Sequence, residues 1–288
     1  MPPVGIWIDG LIQSCIYMTM AFGMVLVFSI LGILNWAHGQ FYMLGAIVVY
    51  YTITAAGIPF PISILISGLL MAGLGISVKK LVIDRVTVAS AQGGLYVTVA
   101  TIALTFFFEG GASVVFGMED KGLSMILPGV LTLGPISLSY QKLAVIIFTL
   151  MVMIAMYFVL NRTKVGLAIK ATAQQPDAAS LCGISVERLS LIVMGIGCGL
   201  AAMAGGIMAP VYPINPFMGG IPMIMSLLAI VIGGIGSLTG AIMGGLILGF
   251  LNSVIAYYLS YLSEVVLFLL VIFILLVRPQ GLFGASLK

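Results

Sequence analysis

The stretch LAVIIFTLMVMIAMYFVL, residues 143–160, runs for eighteen residues without a charged side chain. An α-helix needs about 20 mainly apolar residues to cross the hydrocarbon core of a bilayer. The whole chain has the same character, since 62% of its 288 residues are hydrophobic and only 7% are charged. A soluble domain carries roughly 25% charged residues. We therefore expect an integral membrane protein with most of its mass inside the lipid.

Similar apolar runs occur along the entire chain. Backbone groups in lipid must be hydrogen-bonded within the protein, and barrel strands would alternate polar with apolar residues, so continuous apolar runs indicate helices. Two of the nine runs, Phe41–Ala56 and Ile221–Ile235, are short and lie beside glycine-rich breaks, which suits re-entrant or broken helices. The other runs are Ile6–Ile33, Ile62–Val78, Leu95–Phe116, Leu143–Leu160, Leu189–Ala209, Leu238–Leu259 and Val265–Val277. We predict an all-α polytopic membrane helix bundle of eight to ten spans, forming a single transmembrane domain over residues 1–288.

Lysine and arginine are distributed unevenly among the loops. In a nine-span arrangement, nine of the eleven basic residues fall on one side, whereas Lys121 and Lys142 fall on the other among acidic residues. Cytoplasmic loops carry the excess of basic residues. We therefore expect a cytoplasmic C-terminus, and an external N-terminus if there are nine spans. The nine residues are Lys79, Lys80, Arg85, Arg162, Lys164, Lys170, Arg188, Arg278 and Lys288.

Two loops are long enough to have structure of their own. The cytoplasmic loop, about residues 161–188, contains an alanine-rich stretch that can form short helices. The external stretch Gly117–Lys142 contains Pro128 and Pro135, and there we expect a surface loop with a short helix.

Glycines recur at a spacing of four residues within the apolar runs. A glycine on every fourth helical position makes a flat groove in which another backbone can approach closely. This predicts a tightly packed membrane bundle and carries no information about a substrate. The series are Gly236, Gly240 and Gly244, then Gly245 and Gly249, and Gly195 and Gly199.

A weak internal repeat relates Ile30–Gly45 to Val231–Leu246, because each block contains two glycines seven residues apart. Transporters often contain structural repeats with broken helices at matching positions. The chain contains 36 glycines, so chance agreement is the alternative.

Polar residues inside apolar surroundings are the candidates for a transport pathway. The segment NWAHGQ, Asn35–Gln40, interrupts two apolar runs, and Glu109 lies within TFFFEGG. Polar groups at membrane depth are costly and tend to face a cavity or a partner, so Asn35, His38, Gln40 and Glu109 are our candidates. The alternatives are a tight turn at the cytoplasmic face, with Asn35 and His38 capping helix ends, and an interfacial position for the Glu109 carboxylate.

The sequence offers no chemistry of its own. It has no G-x-x-x-x-G-K-[ST] phosphate loop, and a single histidine cannot be combined into a nucleophile–base–acid set. The three cysteines, Cys15, Cys182 and Cys198, have no metal-ligand spacing. We therefore expect neither an enzyme nor a metal or cofactor site in this chain.

The cytoplasmic loop carries a family resemblance. KVGLAIKATAQQPDAASLCGISVERLS, Lys164–Ser190, resembles the cytoplasmic loop of LivH-type permease subunits of branched-chain amino-acid ABC importers. That family pattern reads G-x-x-x-[RK]-A-x-A-x-x-x-x-A-A-x-L-x-G-I. Its matches here are Gly166, Lys170, Ala171, Ala173, Ala178, Ala179, Leu181, Gly183 and Ile184.

The resemblance extends over essentially the whole chain. LGILNWAHGQFYMLGA (Leu31–Ala46), AIVIGGIGSLTGAIMGGLILG (Ala229–Gly249) and LVRPQGLFG (Leu276–Gly284) each match a family block. The chain departs from the first block at Gln40, where the family usually has an acid, so a charged role at that position is in doubt.

The resemblance implies a type II ABC importer-like permease in the bacterial inner membrane. It implies a second, LivM-like permease subunit, a periplasmic binding protein and two cytoplasmic ATPases, which would bind ATP and magnesium. The cytoplasmic loop would then be the coupling element that docks on an ATPase. The residues carried over to this role are Gly166, Lys170, Ala173, Pro176, Asp177, Ala178 and Gly183.

Other functions remain open from the sequence. Relatives of this architecture carry urea, short amides or aromatic acids, because specificity lies largely in the binding protein. An ion-coupled secondary transporter would instead use intramembrane Glu109 and His38 and would need no ATPase. The alanine- and glycine-rich coupling loop favours the ABC importer, because an ion-coupled carrier has no evident use for it. A structural membrane scaffold would not account for polar breaks such as Asn35–Gln40.

Overall fold

The fold is known from a computed structural model of the chain, which describes residues 4–89, 93–123, 129–133 and 136–283. The described residues form mainly helices, with one short β-hairpin. The α-helices are α1 Val4–Leu31, α2 His38–Thr54, α3 Phe60–Val78, α4 Asp84–Ala89, α5 Gly93–Phe116, α6 Tyr140–Arg162, α7 Lys164–Gln174, α8 Pro176–Leu181, α9 Val186–Met208, α10 Gly220–Gly233, α11 Leu238–Tyr258 and α12 Ser263–Val277. The C-terminal Lys288 lies outside the described residues.

Each of the nine apolar runs is a helix, which confirms the polytopic helical bundle. Seven helices of the described chain are long and apolar enough to cross a membrane, those built on α1, α3, α5, α6, α9, α11 and α12. The two runs predicted to be short are α2, with 17 residues, and α10, with 14 residues. A 14-residue helix is about 21 Å long, which is less than the hydrocarbon thickness of a bilayer.

Helix α3 does not end at the first basic residues. It continues through a π-helical turn, Lys79–Ile83, into α4. The Lys79 side chain is only 4% exposed, and its Nζ donates a hydrogen bond to Asp84 Oδ1 over 2.7 Å. Burial of an ammonium group is tolerated when the charge is paired, so this ion pair holds the end of the α3 extension.

The stretch Gly117–Lys142, which we predicted to be an external loop with a short helix, has a different structure. Its described part contains an antiparallel hairpin of two strands, β1 Val130–Leu133 and β2 Ile136–Ser139. Pro128 and Pro135 lie outside the described residues. The alternation of apolar and polar residues in VLTL and ISLS favours strands over a helix, and this pattern was the signal for the hairpin.

Helices α1 and α9 form the centre of the bundle. Helix α1 packs along α11 and α10, and α9 packs along α3 and α2, so the α1–α3 and α9–α11 units make equivalent contacts. The two units meet where Gly23 and Gly197 face each other, because a Cβ on either residue would lie 2.8 Å from the carbonyl oxygen of the other. In this arrangement the α1–α2 junction corresponds to the α9–α10 junction. The predicted repeat is different, because it pairs the α1–α2 junction with the α10–α11 junction.

The glycine series produce the close packing that they predict. A Cβ on Gly245 would lie 2.6 Å from the backbone nitrogen of Met18, and one on Gly199 would lie 3.0 Å from the Gly68 carbonyl oxygen. These glycines let α11 and α9 touch the backbones of α1 and α3. Gly236 is different, because it lies in the turn between α10 and α11 with a φ of +85° and open space around it.

Candidate functional site

The polar break Asn35–Gln40 lies inside the bundle. After α1 ends at Leu31, Gly32 adopts a φ of +66° and the chain turns back along α1. The His38 Nε2 atom comes to 3.4 Å from the position of a Cβ on Gly23, and Gly23 lies about 12 Å before the end of α1 by helical rise. The break therefore runs beside the inner part of α1, deeper than a turn at the end of that helix would lie.

The three polar side chains of the break are almost completely buried, with exposures of 2% for Asn35, 0% for His38 and 2% for Gln40. Asn35 Oδ1 accepts a hydrogen bond from the Ala37 backbone nitrogen over 3.1 Å, and neither Asn35 nor His38 caps a helix end with its side chain.

Several atoms of these side chains have no hydrogen-bond partner among the described residues: Asn35 Nδ2, Gln40 Oε1 and both ring nitrogens of His38. The Met20 carbonyl faces the His38 ring without completing a well-formed hydrogen bond. Each buried unpaired polar group costs about 1–3 kcal/mol. The unpaired groups therefore lower the stability of the fold and are not present for its sake. Polar residues of this kind within a membrane typically serve a function.

Helix α5 contributes the fourth pathway candidate. Gln40 Nε2 donates a hydrogen bond to Glu109 Oε1 over 2.8 Å, so the structure brings these two candidates together. The amide at position 40 is thus paired with an acid from another helix. The pair lines a recess of about 170 Å³ together with Trp36, Thr105 and Met223.

Two short helices begin side by side at this recess. A Cβ on Gly39, in the first turn of α2, would lie 2.5 Å from the carbonyl oxygen of Gly219, the residue that precedes α10. Neither α2 nor α10 has a side-chain cap at its N-terminus. The recess therefore lies where the positive ends of two helix dipoles meet.

The loop predicted to be cytoplasmic forms an elbow of two short helices, α7 and α8. Gly166 is buried, and a Cβ on it would overlap the backbone of Val159 and Leu160, so glycine lets α7 fold back tightly on α6. Thr163 caps α7 by accepting a hydrogen bond from the Gly166 nitrogen over 3.1 Å. Lys170 Nζ donates a hydrogen bond to Asn161 Oδ1 over 2.6 Å. Gly166 and Lys170 thus hold the shape of the elbow.

The remaining predicted coupling residues lie on the outer surface of the elbow. Ala173, Pro176, Asp177 and Ala178 are all exposed. Gly183 ends the elbow with a φ of +84°, a conformation that other residues rarely adopt. Leu181 lies on the same element and is 89% exposed, so this apolar side chain belongs to the outer surface, although the motif alone did not indicate that.

The sequence analysis missed a second polar cluster, on the opposite half of α1. Asn252 Nδ2, on α11, donates to Gln13 Oε1 over 2.7 Å and to the Tyr17 hydroxyl over 3.0 Å. Together with Tyr42 and Tyr212 these residues line a cavity of about 330 Å³. The signal was present in the sequence, because Gln13 and Asn252 are amides inside apolar runs.

Tyr212 lies outside the helices, in the segment between α9 and α10. Burial raises the pKa of its phenol, the negative charge of Asp9 raises it further, and a hydrogen bond with Gln13 opposes both effects. The phenol therefore stays protonated and can donate a hydrogen bond. Asp9 itself is paired with Lys142, whose Nζ lies 2.6 Å from Asp9 Oδ1, and Lys142 was predicted to lie on the external side.

Comparison with known proteins places these features in one family. The family model described as "Branched-chain amino acid transport system / permease component" matches residues 6–275. The high-affinity branched-chain amino acid transport system permease protein LivH of Salmonella typhimurium is 31% identical over 96% of this chain and 94% of its own. The corresponding permease protein BraD of Pseudomonas aeruginosa is 30% identical over the same shares, and a probable LivH of Methanocaldococcus jannaschii is 25% identical over 97% and 92%. No solved structure matches the chain.

Proposed function

Because the chain belongs to the family of branched-chain amino acid transport system permease components, we propose that it is the membrane-spanning subunit of an ATP-binding-cassette importer. It moves branched-chain or related amino acids across the bacterial inner membrane, with its C-terminus in the cytoplasm. The observation that carries the proposal is the α7–α8 elbow, which presents an exposed small-residue surface directly before the central helix α9.

The chain is one component of a larger assembly in this proposal. A second permease subunit of the LivM type completes the pathway, two cytoplasmic ATPases bind ATP and magnesium, and a periplasmic protein delivers the solute. The exposed flanks of the bundle fit such an assembly, because only 17% of the α5 span and 11% of the α12 span are buried within this chain. Those surfaces are free for lipid and for the second subunit.

The elbow is the coupling element. Ala173, Pro176, Asp177 and Ala178 face the ATPase, and Leu181 inserts an apolar side chain into its groove, while Gly166 and Lys170 keep the elbow rigid. Displacement of the elbow is transmitted through Gly183 to α9, which packs against α1, α2 and α3. ATP-driven closure of the ATPases therefore reaches the centre of the bundle through one continuous packed element.

Asn35, His38, Gln40 and Glu109 form the polar part of the pathway. Gln40 and Glu109 lie at the recess where α2, α5 and α10 meet, whereas His38 faces Gly23 of α1. A solute on its way through the bundle can replace the hydrogen bonds that these groups lack. The Glu109 carboxylate offers a partner for the ammonium group of an amino acid.

The coupling proposal is tested with the assembled transporter in proteoliposomes. Ala178→Trp places a bulky ring on the docking surface, and it should lower uptake per ATP hydrolysed while the subunits still assemble. Ala56→Trp is the matched control, since Ala56 is also exposed but lies between α2 and α3. Equal uptake per ATP for both variants would show that Ala178 does not belong to the docking surface.

An ion-coupled carrier is the alternative mechanism, and the same preparation separates the two. The importer requires ATP and the binding protein for uptake. Uptake that continues without ATP and follows an imposed proton gradient would overturn the proposal.

A further inference from the structure

We propose that the cavity between Tyr17, Tyr42 and Tyr212 is a solute-binding subsite on the external half of this chain, where three phenolic hydroxyls bind the carboxylate of an aliphatic amino acid. The subsite rests on the proposed function, because it assigns a binding position to the solute that the importer carries. It is separate from the recess that Gln40 and Glu109 line.

The three phenols supply hydrogen-bond donors. Tyr17 accepts a hydrogen bond from Asn252, which leaves its own O–H free to donate. Tyr42 is 98% buried, but its hydroxyl makes no hydrogen bond to any described residue and it lines the cavity. Tyr212 lines the same cavity as both. O–H groups that line one cavity suit an anion with two oxygens, which is what a carboxylate offers.

The beginning of α10 adds a positive potential to the same cavity. Ile221 and Pro222, from its first turn, form part of the lining. The N-terminus of α10 has no side-chain cap, and Pro222 has no N–H of its own. Gly220 N donates to the Phe217 oxygen and Met223 N to the Gly219 oxygen, which leaves the Ile221 N–H of the first turn without a partner among the described residues. This N–H and the helix dipole both attract a carboxylate. A neutral donor cluster and a helix dipole can thus hold the anionic end of a solute without a buried cation.

Part of the cavity lining is apolar. Ile16, Met218 and Ile221 contribute aliphatic surface in addition to the hydroxyls and amides. The cavity volume of about 330 Å³ lies at the lower end of the range for small-molecule sites. A branched aliphatic side chain therefore has a place beside the carboxylate, whereas urea and short amides offer the donor cluster one neutral carbonyl oxygen in place of two carboxylate oxygens.

A neighbouring cleft borders the cavity. It shares Gln13 and Tyr212 with the subsite and also contains the ion pair between Asp9 and Lys142. Both side chains of this pair are partly exposed, at 50% and 36%. One charge of each sign at the rim of the cleft complements a zwitterion and is compatible with entry of an amino acid from the external side.

The experiment removes hydroxyls without changing the size of the cavity. The complete transporter, with binding protein and ATPases, is reconstituted with Tyr42→Phe, with Tyr17→Phe, or with both substitutions. The matched control is Tyr157→Phe, because Tyr157 is 63% exposed on α6 and does not line the cavity. L-leucine uptake and binding-protein-stimulated ATP hydrolysis are measured on the same vesicles.

We expect each single variant to lower L-leucine uptake per ATP by about 3- to 10-fold, the effect of one lost neutral hydrogen bond. The double variant should lose more than either, and stimulated ATP hydrolysis should stay within about twofold of wild type because the elbow is unchanged. Stimulated hydrolysis also shows that the variants fold and assemble. Met218→Trp, which fills the cavity, should lower uptake per ATP in the same way.

The possible failures are distinguishable. If wild-type vesicles import L-leucine with ATP and the tyrosine and Met218→Trp variants match the Tyr157→Phe control, the subsite is refuted and the proposed function stands. If wild-type vesicles import no amino acid with ATP, the proposed function and the subsite both fail. If uptake and stimulated hydrolysis fall together in both the tyrosine and the Met218→Trp variants, the tyrosines serve the structure and the subsite is refuted.

Discussion

The packing of α1 on α11 allows a quantitative prediction for Gly245→Ala. A Cβ at this position would lie 2.6 Å from the Met18 nitrogen and 2.7 Å from the Met18 Cα, about 0.8 Å inside the 3.4 Å at which ordinary contacts begin. The obstructing atoms are backbone and cannot move aside, so the two helices must separate. Separation also lengthens the hydrogen bond from Ser14 Oγ to the Leu246 carbonyl, now 2.9 Å.

The magnitude follows from three contributions. Overpacking costs about 1–3 kcal/mol, an interhelical hydrogen bond within a membrane contributes about 0.6 kcal/mol, and replacing a helical glycine by alanine returns up to about 1 kcal/mol. We expect Gly245→Ala to lower the free energy of unfolding by roughly 1–2 kcal/mol. Gly111→Ala, on α5 with open space around its Cβ position, should raise it by up to about 1 kcal/mol.

The measurement is the unfolding equilibrium of the purified protein in mixed micelles, with helix content as the signal. Both variants gain the same helix propensity from the change of glycine to alanine, so this contribution cancels when they are compared. Their free energies of unfolding should differ by about 2–3 kcal/mol. Equal stability of the two variants would show that the α1–α11 contact is not set by backbone approach at this glycine.

Three further predictions concern individual side chains. Asp84→Asn leaves the buried Lys79 ammonium without its charged partner. It should lower the free energy of unfolding by roughly 2 kcal/mol, less than the about 3–5 kcal/mol for a fully buried pair, because Asp84 is partly exposed. An unchanged free energy of unfolding would mean that the ion pair is not maintained. Ser237→Ala removes the N-cap of α11 and should cost about 1 kcal/mol in the same assay, with Ser237→Thr as the conservative control. Cys182 is exposed, whereas the other two cysteines are buried, so an impermeant maleimide should label the protein in inside-out vesicles and leave it unlabelled in spheroplasts. Labelling in spheroplasts alone would reverse the proposed orientation.

Most of the helical architecture could be predicted from the sequence, because a long apolar run in lipid has few alternatives to a helix. The residue pattern predicted the short lengths of α2 and α10. It also predicted the close approach of helices at Gly245 and Gly199. The hairpin at Val130–Leu133 was not predicted, since strand patterns of four residues are weak signals beside long apolar runs.

The candidate sites were predictable only in part, because a site depends on which helices become neighbours. The sequence marked Gln40 and Glu109 as separate candidates, and only the fold shows that they are hydrogen-bonded over 2.8 Å. Asn252 and Tyr17 are 235 residues apart, and no local pattern relates them. The elbow was recognised from its motif, but the motif could not distinguish buried Gly166 from exposed Ala178.

The contact of Gly39 with Gly219 has a mechanical consequence. Crossing angles between helices are normally fixed because ridges of side chains on one helix lie in grooves of the other. Here the carbonyl groups of Gly39 and Gly219 meet directly, with the Cβ of Met223 beside them, so side-chain ridges do little to fix the angle at this point. The two short helices can therefore tilt about this contact, and their relative tilt depends on the elements to which their far ends are attached.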